Sequence, residues 1–236
     1  MTNDETVSLN KYIAGTGRCS RREADKLLDA GRVTLNGATA RKGNRYAPGD
    51  TVLIDGQPLA TKPEPVYLAL HKPAGITCTT DRRDRSNLID YLNYPERIFP
   101  IGRLDKASTG LLLLTNDGDI VNKILRVENA HDKEYIVTVD KPINREFVKR
   151  MAGGLPILDR VTKKCEVEKL GKHRFRIILT QGLNRQIRRM CEYLGFEVRT
   201  LKRIRIMNVT LGDMAVGELR ELGGDELGVL LGMLGE

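Results

Sequence analysis

The sequence of 236 residues has no tryptophan, and aromatic residues make up only 5% of it. Its four cysteines, Cys19, Cys78, Cys165 and Cys191, lie far apart and form no C-x-x-C pair. That spacing argues against a zinc site or a dithiol centre and fits reduced thiols. The three histidines, His71, His131 and His173, are scattered, so neither a metal nor a cofactor is expected. Also missing are a P-loop, a dinucleotide fingerprint, an H-E-x-x-H pair and a nucleophile elbow. No apolar run approaches the roughly 18 residues that span a bilayer. The polar N-terminus M-T-N-D-E-T has no leader character. A cytoplasmic monomer without membrane association is expected.

Positive charge is what the chain has in excess. Lys and Arg number 39 against 31 Asp and Glu, for a net charge of +8. The excess is concentrated: Arg185 to Arg205 holds seven Lys/Arg and two Glu, a net +5. From Gly212 onward, six acids face one Arg, a net −5. Basic charge gathered in particular elements is what a phosphate-bearing partner requires.

The N-terminal stretch reads as two short helices followed by small strands. Ser20-Arg21-Arg22-Glu23 is a capping box, opening a helix from about Arg21 to Ala30 with Ala24, Leu27 and Leu28 inward. Arg18, Arg22 and Lys26, spaced by four, are expected on another face of it. Asn36-Gly37 signals a hairpin after Val33 to Leu35, and Thr51 to Ile54 reads as a strand. The Pro-containing stretch Ala60 to Pro65 reads as an extended linker. The expected division is 1–60, a linker at 61–65, and 66–236.

In the larger part, Val66 to His71 reads as a strand, and Ser86 is expected to cap a helix reaching about Leu92. Phe99 to Gly118 (F-P-I-G-R-L-D-K-A-S-T-G-L-L-L-L-T-N-D-G) runs from a charged turn into four leucines, Leu111 to Leu114. A short apolar run between turn residues predicts a buried strand. Asp105 then sits between Arg103 and Lys106 at the edge of a core. Alone, it reads as an ion-paired surface turn; with a guanidinium beside it, it also suits a nucleophile or the stabiliser of a sugar cation. A two-carboxylate hydrolase would need a second loop acid, and Asp117 lies in a plain turn sequence. Further strands are expected at Tyr135 to Val139, Thr162 to Val167 and Phe175 to Leu179. Arg185 to Cys191 is read as a helix with Ile187, Met190 and Cys191 inward, and Asp225 to Leu234 as a closing helix. Spacing alone favours phosphate binding or solvation for Arg188.

Two resemblances sharpen this reading. L-N-K-Y-I…C-S-R-R-E-A-D-K-L-L…G-R-V-T-L-N-G…G-D-T-V-L-I-D-G resembles the S4 RNA-binding domain. G-R-L-D-K-A-S-T-G-L-L-L-L-T-N-D-G looks like the signature loop of RNA pseudouridine synthases of the RsuA group. H-K-P-A-G (71–75), K-E-Y-I-V-T-V (133–139) and G-L-N-R-Q-I-R-R-M (182–190) match that group's other motifs. N-K-I-L-R, P-I-L-x-x-V-T-K-K-C and R-I-M-N-V are similar to the 23S rRNA pseudouridine synthase F branch. Some relatives carry a basic C-terminal tail that this acidic ending does not provide.

The resemblance implies an α+β chain: a small S4-like RNA-binding domain and a larger catalytic domain on a mixed or antiparallel sheet. It implies isomerisation of a uridine to pseudouridine in structured RNA, with 23S rRNA first and tRNA next. Asp105 is then the catalytic aspartate, Tyr135 packs against a flipped uracil, and Arg188 pairs with Asp105. The expected RNA contacts are Lys11, Arg18, Arg22, Lys26, Lys72, Arg103, Lys106, Asn184, Arg185 and Arg189. The alternatives are the same chemistry on 16S rRNA or tRNA, and a non-catalytic RNA-binding ribosome-assembly factor.

Overall fold

A computed structural model describes residues 6–126 and 130–235; positions 1–5 and 236, at the outer ends of the two expected domains, lie outside the described residues. The chain divides into two compact units, one ending at Pro65 and the other starting at Val66.

The first unit runs β1 (Val7–Ser8), α1 (Leu9–Gly15), α2 (Arg21–Asp29), β2 (Val33–Leu35), β3 (Ala38–Thr39), β4 (Arg45–Tyr46), β5 (Val52–Ile54) and β6 (Gln57–Pro58). The capping box forms as expected: Glu23 N donates to Ser20 Oγ at 3.2 Å, and Ser20 N to Glu23 Oε2 at 2.7 Å. Asn36 and Gly37 both take positive φ, the twist that a two-residue hairpin between β2 and β3 demands. Leu9, Ile13, Ala24, Leu28, Val33, Val52 and Ile54 close the core. One expectation fails here. Because α2 begins at Arg21, Arg18 lies in the preceding turn and not on the helix face with Arg22 and Lys26.

The second unit is built on one mixed sheet. Its elements are β7 (Tyr67–Lys72), α3 (Leu88–Leu92), β8 (Phe99–Ile101), β9 (Thr109–Thr115), α4 (Gly118–Leu125), β10 (Lys133–Val139), α5 (Arg145–Gly153), β11 (Pro156–Ile157), β12 (Arg160–Val161), β13 (Glu166–Lys169), β14 (Arg174–Leu179), α6 (Gln186–Tyr193), β15 (Val198–Ile206), β16 (Val209–Thr210), β17 (Leu219–Glu221) and α7 (Gly224–Met233). The strand order is β13-β14-β10-β15-β9-β7-β17, with β16 beside β15 and β8 beside β9. Every pairing is antiparallel except β9 with β15.

That parallel pair joins the two halves of the sheet, and Gly110 permits it. Gly110 has φ +106, and a Cβ there would overlap the Arg203 carbonyl opposite. The four leucines that follow are all 1% exposed or less. Leu111 and Leu113 pack on one face and Leu112 and Leu114 on the other, so the strand is apolar without alternation.

Two local expectations are corrected, and one strand is added. Asn87, not Ser86, caps α3: its Oδ1 accepts from Asp90 N at 2.8 Å, while the Ser86 hydroxyl donates to Asp84. Residues 162–165 do not extend β13. The chain instead folds an additional hairpin, β11–β12, ahead of it. Phe99–Ile101, ahead of the charged turn and given no element from sequence, is a strand at the side of β9.

Candidate active site

The loop from Gly102 to Ser108 delivers Asp105 to a cleft of about 440 Å³, part of it open to solvent. Its walls are the Asp105 loop, Tyr135 on β10, Leu179 at the end of β14, the 181–183 turn, Arg185–Arg188 and Leu201 on β15. A concave cleft lined by apolar side chains with a few convergent polar groups is the usual form of a small-ligand site.

The loop is tied down from beneath. Ser108 N donates to Asp105 O at 3.0 Å and closes the turn, and Gly75 N donates to Lys106 O at 2.8 Å. Lys72 is fully buried, and its Nζ donates to Pro73 O and Ser108 O, each at 2.8 Å. Burial pushes the Lys72 ammonium below the usual lysine range, and Asp105 is among the charges that oppose the shift. Lys72 is therefore not an RNA contact. It stands opposite Gly110 in a strand covered on both faces, and its side chain turns inward to collect loop carbonyls. The H-K-P-A-G motif thus supports the Asp105 loop through Lys72 and Gly75.

Across the cleft, α6 presents Arg188. Its Nε donates to Asp105 Oδ2 at 3.3 Å, its Nη2 to Ser108 Oγ at 3.2 Å and its Nη1 to Val198 O at 3.4 Å. The Arg188 side chain is 15% exposed and that of Asp105 is 27% exposed. A guanidinium spread over three acceptors in a half-buried setting orients the carboxylate more firmly than a surface pair does. Arg185, with φ +51 at the start of α6, brings Nη1 within 3.8 Å of the same Oδ2. It was expected only to face RNA, yet it also reaches Asp105. Tyr135 is half-buried, lines the cleft and packs against two core clusters, one around Val137 and Phe175 and one around Leu112 and Leu114.

The other expected contacts fall into distinct settings. Arg103 is exposed on the cleft wall, and Lys106 is exposed on the same loop. Asn184 and Arg189 are bonded to each other, Arg189 Nε donating to Asn184 O at 3.1 Å. Arg18, Arg22 and Lys26 are exposed and Lys11 half-buried, all in the first unit. Asp117 serves as the N-cap of α4, accepting from Asp119 N at 3.0 Å, and is no second cleft acid. His71 is buried, its Nδ1 2.8 Å from Met214 O.

Ser108, Gln181 and Gln186 were not anticipated. Gln186 Oε1 accepts from Leu183 N at 3.0 Å and fixes the turn ahead of α6. Only the three-residue offset of Ser108 from Asp105, a turn spacing, could have pointed to it. Burial pushes the Cys165 thiol to about 11 and that of Cys191 to about 12, which keeps both protonated at neutral pH, and no cysteine lines the cleft. Among the described residues, no group of three or more His, Cys, Asp or Glu could hold a metal ion. No helix among them is long and apolar enough to cross a membrane.

This fold and cleft define a class. Residues 66–193 match the RNA pseudouridylate synthase family model and residues 7–52 the S4 domain model. The chain is 55% identical over 229 residues to "Dual-specificity RNA pseudouridine synthase RluF" of Escherichia coli strain K12, covering 96% of this chain and 79% of that one. It is 35% identical to "Ribosomal large subunit pseudouridine synthase B" of Bacillus subtilis, with 93% of each covered. A solved structure, "Crystal structure of pseudouridylate synthase", matches with TM-score 0.70 and 28% identity, over 95% of this chain and 99% of that one. The chain belongs to the RNA pseudouridine synthase family, in its S4-bearing RsuA group. It is an enzyme that isomerises uridine to pseudouridine in RNA.

Proposed function

We propose that Asp105 is the nucleophile of this isomerisation, that Arg188 holds it ionised and aimed, and that Tyr135 packs against the flipped base. The observation that carries this reading is the Asp105–Arg188 contact at 3.3 Å beside Tyr135 in one cleft. The reaction breaks the N1–C1′ bond, turns the uracil, and joins C5 to C1′; N1 gains a proton and C5 gives one up. No redox partner enters the balance. A carboxylate fixed in a cleft that shields one base meets these needs, while RNA contacts elsewhere offset the few kcal/mol for unstacking the base. Arg103, Lys106, Arg185 and Arg189 around the cleft, and Arg22 and Lys26 on the first unit, are suited to phosphates.

The substrate we propose is 23S rRNA, met by a cytoplasmic monomer. Its support is the relative named for the large ribosomal subunit, together with the motifs shared with the synthase F branch. The relative described as dual-specificity favours a second RNA, and tRNA is the one proposed.

Tritium release from RNA labelled at uridine C5 tests the assignment. Wild type is expected to release label, and Asp105→Asn to release none while melting at an unchanged temperature. Equal release by the variant would remove Asp105 from the chemistry.

A further inference from the structure

The β11–β12 hairpin is the feature that neither the core nor the cleft chemistry explains. Its two turn residues, Leu158 and Asp159, have φ +50 and +56. A two-residue turn of this hand favours Asn-Gly or Gly-Gly, and side chains larger than Asn strain it. Here the strain is borne by a leucine outside the buried core: Leu158 is 39% exposed and Val161 68% exposed. Strain of this kind persists only where the surrounding structure holds it, and it clusters at ligand-binding and active sites.

The base of the hairpin is firm by contrast. Ile157 is buried, and Leu155 and Thr162 exchange bonds, Thr162 N donating to Leu155 O at 3.0 Å and Leu155 N to Thr162 Oγ1 at 3.0 Å. Lys163 N then donates at 3.1 Å to Oε1 of Gln181, a cleft-lining side chain, so the hairpin is bonded directly to the rim. Arg160 is exposed beside the apolar tip and Lys163 and Lys164 are exposed just past the base, against the single acid Asp159 within residues 156–164.

We infer that this hairpin is an RNA-docking element, in which Leu158 and Val161 pack against the base step beside the target uridine while Arg160, Lys163 and Lys164 meet its phosphates. The inference rests on the proposed placement of that uridine in the Asp105 cleft. When a nucleotide leaves the stack, its neighbours expose apolar faces, and a rigid aliphatic wedge covers them. The cations fit a polyanion and disfavour a basic second copy of this chain.

The test uses the full chain with an unmodified 23S rRNA transcript tritiated at uridine C5, measuring affinity and single-turnover release side by side. Leu158→Gly suits the backbone, since glycine takes φ +50 without strain, so its melting temperature is expected to equal or exceed that of wild type. Its affinity for the transcript, and that of Val161→Ser, is expected to fall about tenfold, as loss of one stacking contact would give. Leu158→Met is expected to restore most of it. Wild-type affinity and rate in both Leu158→Gly and Val161→Ser would overturn the inference, as would a change of oligomeric state as their main effect. A wild-type chain that bound the transcript yet released no tritium would count against the cleft reading, while the affinity comparison still decided this one.

Discussion

Arg188 Nε donates to Asp105 Oδ2 at 3.3 Å although 83 residues separate the two in sequence. The same guanidinium bonds Ser108 Oγ, so it braces the loop as well as its carboxylate. Arg188→Ala is expected to lower single-turnover kcat about 100-fold, the size of effect that follows from misplacing a reacting group by an ångström. KM should change far less. Arg188→Lys keeps the charge and loses the fork, and should recover only part of the rate. A change in KM alone would make Arg188 a phosphate contact.

Glu134 gives a pH-dependent test of the sheet. It faces away from the cleft chemistry and bonds Arg205 Nε at 2.7 Å and Arg176 Nη1 at 3.1 Å. Burial pushes its carboxyl up, but the two guanidinium groups together outweigh that and hold it below the usual range. A folded pKa below the unfolded one means a contribution present above the unfolded pKa and lost as pH falls through the folded value. Glu134→Gln should cost about 2 kcal/mol at neutral pH, because two cations lose their charged acceptor. Urea unfolding at neutral pH and again in acid should show the deficit shrinking.

Gly110→Ala is expected to destabilise by about 3 kcal/mol, combining a positive φ with a clash against strand backbone. Gly171→Ala, where φ is not positive and the nearest neighbour to an added Cβ is at 4.0 Å, serves as the control. Thermal melts compare the two directly.

The first unit's share of RNA binding is read from salt. Replacing both Arg22 and Lys26 by Glu should weaken RNA binding and flatten the slope of log K against log salt by about two, one for each lost phosphate contact. An unchanged slope would place the RNA elsewhere.

Local rules made much of this chain legible. The Ser20–Glu23 box, the Asn36-Gly37 hairpin and the four-leucine strand each follow from a short pattern with one physical reading. Ser86 and Asn87 are both good caps, and the nearby Asp84 decided between them by accepting the Ser86 hydroxyl. The β11–β12 hairpin escaped notice because its turn holds no Gly or Asn. Lys72 was misjudged because lysines are rarely fully buried, and only the fold shows the three carbonyls waiting for it. Nor does spacing distinguish Arg188 from Arg185 and Arg189: the pairing with Asp105 entered through family resemblance, and the geometry that places Arg188 there depends on strand order.

That order has a consequence for how the enzyme is made. The Asp105 loop leads into β9, whose cleft-side neighbour in the sheet, β15, begins only at Val198. During synthesis, then, a ribosome releases the first unit and most of the sheet before the strand that completes the cleft has emerged. The nascent chain can hold the Arg22 and Lys26 face of its first unit out to RNA well before it can act on a uridine, and maturation of the cleft waits on the parallel seam at Gly110.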